Sequence, residues 1–289
     1  MTSGAGGELQ KPSSDEYQLS VLSALGFESD FAKAETTYEF NMRAARSSTQ
    51  TGSFLELVSA LREIPSSYLN GRPELLFYPA AIEDDLALRT KPFSSVVGKL
   101  YRRNVLYNRR WPAPPKGGWL EPTELYENID DLLRTRLVCR YLDGPKFVCE
   151  RLALACSHLG VEHNIRTLST DAGYYAWHFY FRMDVELALG ANIESRLMWV
   201  EIQLTTQLAE VITALTHGLY EQRREGAGNG DDWKWEPASP EFRSSFIGHG
   251  LHLLEGVIQT FRDDVLPSGS SSAANPLPED DNTEAAKAE

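Results

Sequence analysis

Cysteine is scarce in this chain: Cys139, Cys149 and Cys156 are the only three in 289 residues, an odd number without CxxC spacing. That disfavours a thiolate metal site or a disulfide framework, and buried reduced thiols in a cytoplasmic protein are expected. Long apolar runs are missing too, with nothing near the ~18 residues of a membrane span. The opening stretch MTSGAGGELQKPSSDEY has no apolar core, so a secretory signal is not expected. Positive charge is short: 28 Lys and Arg stand against 41 Asp and Glu, for a net charge of −13 and a pI near 5.0. Such a chain is a poor general binder of nucleic acid. No internal repeat is visible.

What is present suits a folded protein, with 42% hydrophobic and 10% aromatic residues. Much of the acidic excess is local, in SGSSSAANPLPEDDNTEAAKAE after Pro267, and residues 267–289 are expected to be disordered. Basic residues gather in two places. Arg89, Lys91, Lys99, Arg102, Arg103, Arg109 and Arg110 form one cluster, and Arg134 to Arg140 the other. A basic segment in an acidic protein points towards an anionic ligand.

The pattern along the chain divides it. Residues 1–15 are expected to be disordered, and 16–74 to form N-terminal helices, with Asp30 as a cap. Pro65, Gly71, Pro73 and Pro79 break the chain. A helical pattern returns over 94–106, and WPAPPKGGWLEP (111–122) is a loop. Strands are predicted at 137–142, 164–169, 177–185 and 197–205. Between the first two, a helix starts at Pro145 and ends at Gly160. A helix over about Gln207–Glu225, the loop GAGNGDDWKWEPASPEF and a last amphipathic helix over Phe246–Val265 complete the pattern. Strands mixed with helices indicate an α/β (α+β) layer fold with one sheet.

Four segments hold polar groups where a plain core would not. In LMWVEIQLT, Glu201 sits inside an apolar strand, and a buried charge needs a partner. Gln203 points to the same side. An edge strand with Glu201 in water is the alternative. Downstream, His217 and Tyr220 share one helix face. In RTKPFSSVVGKLYRR, Ser95 and Lys99 share a helix face behind Arg89 and Lys91. A serine at a helix start caps it or meets a phosphate, although a solvated basic helix would look the same. In DDLLRTRLVCRYL, Asp131 precedes a strand that Arg136 enters; it suits either a turn cap or a magnesium ligand. In DAGYYAWHFYF, Gly173 allows a turn that presents Tyr174, with His178 four residues on, suited to base stacking or to core packing.

In this order the four segments resemble the synthetase domain of the RelA/SpoT family, the alarmone synthetases that use ATP. The family pattern RxKxxxSxxxK is met by Arg89, Lys91, Ser95 and Lys99, and DLxxxR by Asp131, Leu132 and Arg136. GYxSxH is met by Gly173, Tyr174 and His178, with Ala176 in place of serine. EIQxRT is met by Glu201, Ile202, Gln203 and Thr206, with Thr205 in place of arginine. Glu221 follows His217–Tyr220 where a lysine is usual, and Arg134 replaces a small residue.

The resemblance covers residues 75–225. It implies a nucleotidyltransferase-like mixed β-sheet flanked by helices, with extra N-terminal helices and a loop and helix over 226–266. It implies transfer of the β,γ-pyrophosphate of ATP to the 3′-hydroxyl of GDP or GTP, in the cytoplasm and away from membranes. Arg89 and Arg136 would sandwich the adenine, and Lys91, Ser95 and Lys99 would hold the phosphates. Asp131 and Glu201 would bind Mg²⁺, with Glu201 also drawing the acceptor proton. Tyr174 would stack on the acceptor base beside His178 and Gln203. The departures at Ala176, Thr205 and Glu221 resemble toxic small synthetases, which implies tRNA 3′ ends or adenosine nucleotides as alternative acceptors and an antitoxin as a partner. A catalytically inactive nucleotide-binding regulator is a further alternative. Hydrolysis is not expected, because the first 75 residues lack histidine, and no TGS-like or ACT-like region follows residue 265. Homo-oligomer formation is compatible with the flanking helices.

Overall fold

The computed structural model describes residues 10–49, 52–77, 88–225 and 232–266, and of 217–225 the backbone alone. The acidic stretch after Pro267, residues 1–9, Pro79 and the side chains of His217, Tyr220 and Glu221 lie outside the described residues. Among the described residues no helix is long and apolar enough to cross a membrane.

The fold is a mixed α+β layer. Its strands are β1 (Arg89–Thr90), β2 (Leu133–Cys139), β3 (His163–Ser169), β4 (Tyr175–Leu189) and β5 (Asn192–Thr206). Its helices are α1 (Ser14–Ala24), α2 (Phe31–Ser48), α3 (Gly52–Glu63), α4 (Phe93–Tyr101), α5 (Leu125–Asn128), α6 (Gly144–Leu159), α7 (Gln207–Glu225) and α8 (Pro240–Val265). The sheet order is β1-β2-β5-β4-β3. β2 and β5 run parallel and the other pairs antiparallel. A parallel neighbour requires a crossover, which the chain makes through α6 and the β3–β4 pair.

Several signals act as the sequence suggests. The Asp30 side chain accepts from the Lys33 amide at 3.0 Å and caps α2. Gly160, with φ of 68°, ends α6 in the left-handed conformation. Other boundaries differ. β2 begins four residues before the expected 137, because its pattern alternates instead of running apolar. Leu133, Thr135, Leu137 and Cys139 are buried, while Arg134 and Arg136 face the other way and mask the strand. β4 and β5 are also longer than expected. They join in a hairpin in which Leu189 pairs with Asn192 and Gly190, φ 63°, takes the turn. α8 begins at Pro240, six residues before Phe246. The Ser239 hydroxyl accepts from the Phe242 amide at 3.1 Å, and Pro240 fills the first helical position, where no N–H is needed.

The two faces of the sheet differ sharply. One carries Phe179, Phe181, Met183, Val185 and Leu187 of β4 and Met198, Val200, Ile202 and Leu204 of β5, all buried. α2 packs on β4, and α6 packs on β3, β4 and β5. The ring of Phe54, from α3, lies 5.8 Å from that of Phe181. The other face, offset by one residue along every strand, is polar.

One buried side chain locks α2 to the sheet. Asn41 is 1% exposed. Its amide donates to the Ala188 carbonyl and to the Tyr126 hydroxyl, both at 3.0 Å, and its oxygen accepts from the Ala188 N–H at 2.8 Å. Replacing it leaves the part-buried N–H and C=O of Ala188 without these partners. We predict that Asn41→Ala lowers the unfolding free energy by about 2–3 kcal/mol in urea titrations; a loss below about 1 kcal/mol would contradict this accounting.

Candidate active site

The polar face gathers its residues by register. Arg134, Glu201 and Tyr180 are neighbours across β2, β5 and β4, and Arg136, Gln203 and His178 form the next row. Arg166 of β3 extends that second row, and Arg89 of β1 stands beside Arg134. Cross-strand partners share a face, so one surface collects four arginines, a carboxylate, a tyrosine and a histidine.

Glu201 is 3% exposed and lies on the central strand, which removes the water-facing edge alternative. Its Oε1 meets His178 Nδ1 at 2.5 Å and accepts from the Tyr180 hydroxyl at 3.0 Å. Its Oε2 accepts from the Gln203 amide at 2.9 Å, as their shared strand face predicts. His178 is itself buried, and its Nε2 lies 3.3 Å from the Tyr174 hydroxyl. A carboxylate only accepts, so the Nδ1 facing it carries a proton, and Nε2 faces the Tyr174 hydroxyl. Burial, reinforced by the charges of Glu201 and Asp130, pushes the Tyr180 phenol well above its ordinary pKa and keeps it a donor. Burial also raises the Tyr174 phenol.

A second polar cluster stands where β2 begins. Asp131 accepts from Lys91 Nζ at 2.7 Å and from Lys99 Nζ at 2.8 Å. Lys99 also reaches Asp130 at 2.8 Å, and Arg166 reaches the other oxygen of Asp130 at 2.7 Å. The Arg166 guanidinium lies over the Tyr180 ring, 4.7 Å from its centre, which joins the two clusters. Burial alone would raise the Asp131 carboxyl, but Lys99 and Lys91 outweigh it and bring it down to about 2. Burial lowers the Lys91 ammonium, with Asp131 opposing. Lys99 is raised, because Asp131 and Asp130 overcome the effect of its burial.

The structure thus unites Lys91, Lys99 and Asp131 directly, and Glu201, Gln203, His178 and Tyr174 through one hydrogen-bond chain. Arg136 joins that chain: it donates to Gln203 Oε1 at 3.2 Å and forms a fork with Glu210 at 2.9 and 3.0 Å. Arg89 lies exposed on the same face. Ser95 is exposed in the first turn of α4, whose N-cap, Pro92, makes no side-chain cap. Asp130, Arg166, Tyr180 and Glu210 escaped the sequence reading. Tyr180 follows His178 by two on a predicted strand, so its face was legible; the others lie far from their partners in sequence.

Asp131 and Glu201 are hard oxygen donors of the kind Mg²⁺ takes, and Mg²⁺ needs few protein oxygens when phosphate and water complete its shell. The donor chemistry therefore fits. Among the described residues no cluster of three His, Cys, Asp or Glu offers a metal cage.

No protein-family model matches this chain, and no curated protein matches it. Solved structures do. The small alarmone synthetase 1 from Bacillus subtilis is similar at 16% identity, covering 81% of this chain and 97% of that one, with a TM-score of 0.48. The small alarmone synthetase 2 from Bacillus subtilis gives 16% identity, 79% and 97% coverage and a TM-score of 0.43. A GTP pyrophosphokinase family protein from Streptococcus pneumoniae gives 18% identity, 62% and 75% coverage and a TM-score of 0.41.

The depressed Asp131 carboxyl has a pH signature. A group with a folded pKa below its unfolded value stabilises the fold above the unfolded pKa, and that contribution fades as pH falls through the folded one. We predict an acid-labile contribution on the order of 2 kcal/mol, lost between about pH 4 and pH 2. Asp131→Asn lacks it, so its urea midpoint at neutral pH is lower and its acid limb shallower. Parallel pH profiles for the two proteins would refute the pairing with Lys91 and Lys99.

Proposed function

We propose that this protein transfers the β,γ-pyrophosphate of ATP to the 3′-hydroxyl of a guanosine nucleotide, GDP or GTP, as the RelA/SpoT-like motifs imply. The observation that carries the proposal is Glu201. It is a carboxylate buried at the centre of the sheet, held by His178, Tyr180 and Gln203, on the face that also carries the arginines.

Pyrophosphate transfer demands little covalent chemistry from the protein. It demands neutralised phosphates and a hydroxyl placed in line with the phosphorus. Lys91 and Lys99 rest on Asp131 and Asp130, so phosphate oxygens would exchange for carboxylates as the partners of the two ammonium groups. Ser95 and the open first turn of α4 suit a phosphate as well. Arg89 and Arg136 offer flat cations on neighbouring strands for the adenine. Asp131 and Glu201 would hold Mg²⁺, which supplies further neutralisation of the triphosphate.

Glu201 would take the proton of the acceptor hydroxyl. His178 fixes one oxygen of Glu201 and connects it to Tyr174, the residue suited to stacking on the acceptor base. The proton on Nδ1 points at the carboxylate, so His178 orients Glu201.

One observation favours a second reading. Position 205, where the family pattern has arginine, holds a buried threonine whose hydroxyl has no hydrogen-bond partner. The acceptor side is therefore one cation poorer, which suits an acceptor with less phosphate, such as a tRNA 3′ end or the adenosine nucleotide AMP. The exposed Arg103, Arg109 and Arg110 would then meet the tRNA backbone.

Incubation with Mg²⁺ and γ-labelled ATP tests both readings, since the γ-phosphate travels with the transferred group. Label on GDP or GTP is expected; label on tRNA or on AMP selects the second reading, and label on none defeats both. Glu201→Gln is expected to lower transfer by at least about a hundredfold, the range of a lost general base. Near-normal turnover would reject the role of Glu201.

A further inference from the structure

α8 lies outside the region of the family resemblance, yet it is built into the turn that presents Tyr174. The turn runs from Thr170 to Tyr174, closed by the Gly173 amide donating to the Thr170 carbonyl at 2.9 Å. Gly173 has φ of 78°. A Cβ there would lie 2.7 Å from the Ser245 carbonyl and 3.0 Å from Gly248 Cα. A Cβ on Gly248 would in turn fall inside the Gly173 carbonyl. The helix and the turn thus touch backbone to backbone, and only a glycine at each position allows it.

Side chains of α8 complete the grip. The Ser245 hydroxyl donates to the Asp171 carbonyl at 2.6 Å. His249 Nε2 lies 3.2 Å from the same carbonyl, and its Nδ1 lies 2.7 Å from the Tyr175 hydroxyl. A carbonyl only accepts, so Nε2 donates to it, and Nδ1 is left to pair with the Tyr175 hydroxyl. The His252 ring stacks on Tyr175, with 3.7 Å between centres and 1° between planes. The far end of α8 is anchored independently. Arg262 forms a two-pronged pair with Asp143 at the start of α6, at 2.9 and 3.0 Å, and also donates to the Tyr68 hydroxyl at 2.9 Å.

We infer that α8 is a positioning element for the acceptor: through Gly248, Ser245 and His249 it fixes the 170–174 turn, and with it the place of Tyr174 beside His178 and Glu201. The inference rests on the pyrophosphate-transfer reading for what Tyr174 binds, and on the structure alone for the clamp. In that reading ATP meets groups on or beside β1, α4 and β2, whereas Gly248, Ser245, His249 and His252 of α8 contact the 170–175 segment. The clamp therefore acts on one substrate and not on the other.

Gly248→Ala tests it, with Gly250→Ala as the control. A Cβ on Gly250, two residues along the same helix, meets nothing within 4 Å. Alanine normally favours a helix over glycine, so the control is expected to leave every readout at the wild-type level. Amide hydrogen exchange on the full chain reads the clamp without any ligand. Steady-state kinetics with ATP and GDP, or with whichever acceptor takes the label, reads its effect. In Gly248→Ala, exchange of residues 170–174 accelerates, the acceptor KM rises about tenfold and the ATP KM stays unchanged. Tyr175→Phe keeps the ring stack and removes only the hydroxyl. It raises the acceptor KM by about fivefold, roughly one neutral hydrogen bond, and stays informative if Gly248→Ala does not fold. Unchanged exchange at 170–174 in both variants overturns the clamp. ATP and acceptor KM rising together overturn its selectivity. A wild-type protein that labels no acceptor removes the transfer reading and the acceptor role with it, while exchange alone still decides whether α8 holds the turn.

Discussion

Glu201 carries its charge into the middle strand of the sheet, and a charge so placed survives only where its neighbours satisfy it. Those neighbours come from β4 and β5 themselves: His178, Tyr180 and Gln203 reach it because β4 and β5 pair in one register. A slip of one residue would turn Val200 or Ile202 onto the polar face and push Glu201 into the apolar core. The same register that buries Phe179, Phe181, Val200 and Ile202 on one side therefore assembles the site on the other. Packing and chemistry are two faces of a single constraint, and the apolar face supplies most of the free energy that enforces it.

The cationic side follows a different rule. Lys91 and Lys99 are held by Asp131 and Asp130, whose charges offset the repulsion between the two cations. The cluster is fixed in place by its own ion pairs. Arg166 ties this cluster to the carboxylate side through Tyr180, which places the two halves in a fixed relation across the sheet.

What the sequence made legible was whatever repeats over a short distance. Glu201 and Gln203 sit two apart on a strand, and Ser95 and Lys99 four apart on a helix; these spacings speak for themselves. One sheet with flanking helices was also readable, from strand and helix patterns and from Gly160 and Asp30 at helix ends; that the sheet is mixed was implied by the family resemblance alone. What stayed hidden was contact across the chain. Asp131 lies 40 positions from Lys91 and 32 from Lys99, and no local pattern announces that they meet. Arg166 and Asp130 are ordinary surface residues until β3 is placed beside β4. β2 was displaced in the reading because the two arginines that matter for the polar face interrupt its apolar run. The start of α8 was missed because Ser239 and Pro240 look like a loop until the helix behind them is seen. Tyr180 lies two residues from His178 on one strand, so the same alternation places both on one face.

The β4–β5 hairpin has a practical corollary. Along both strands an inserted or deleted residue exchanges the two faces, so their length is fixed from Tyr175 to Thr206 except at one point. The turn at Gly190 and Ala191 is exposed and pairs with nothing beyond Leu189 and Asn192. It stands eleven residues from Glu201, roughly 35 Å along an extended strand. That tip is where the chain admits a fluorophore, an affinity tag or a surface tether while the sheet keeps its count.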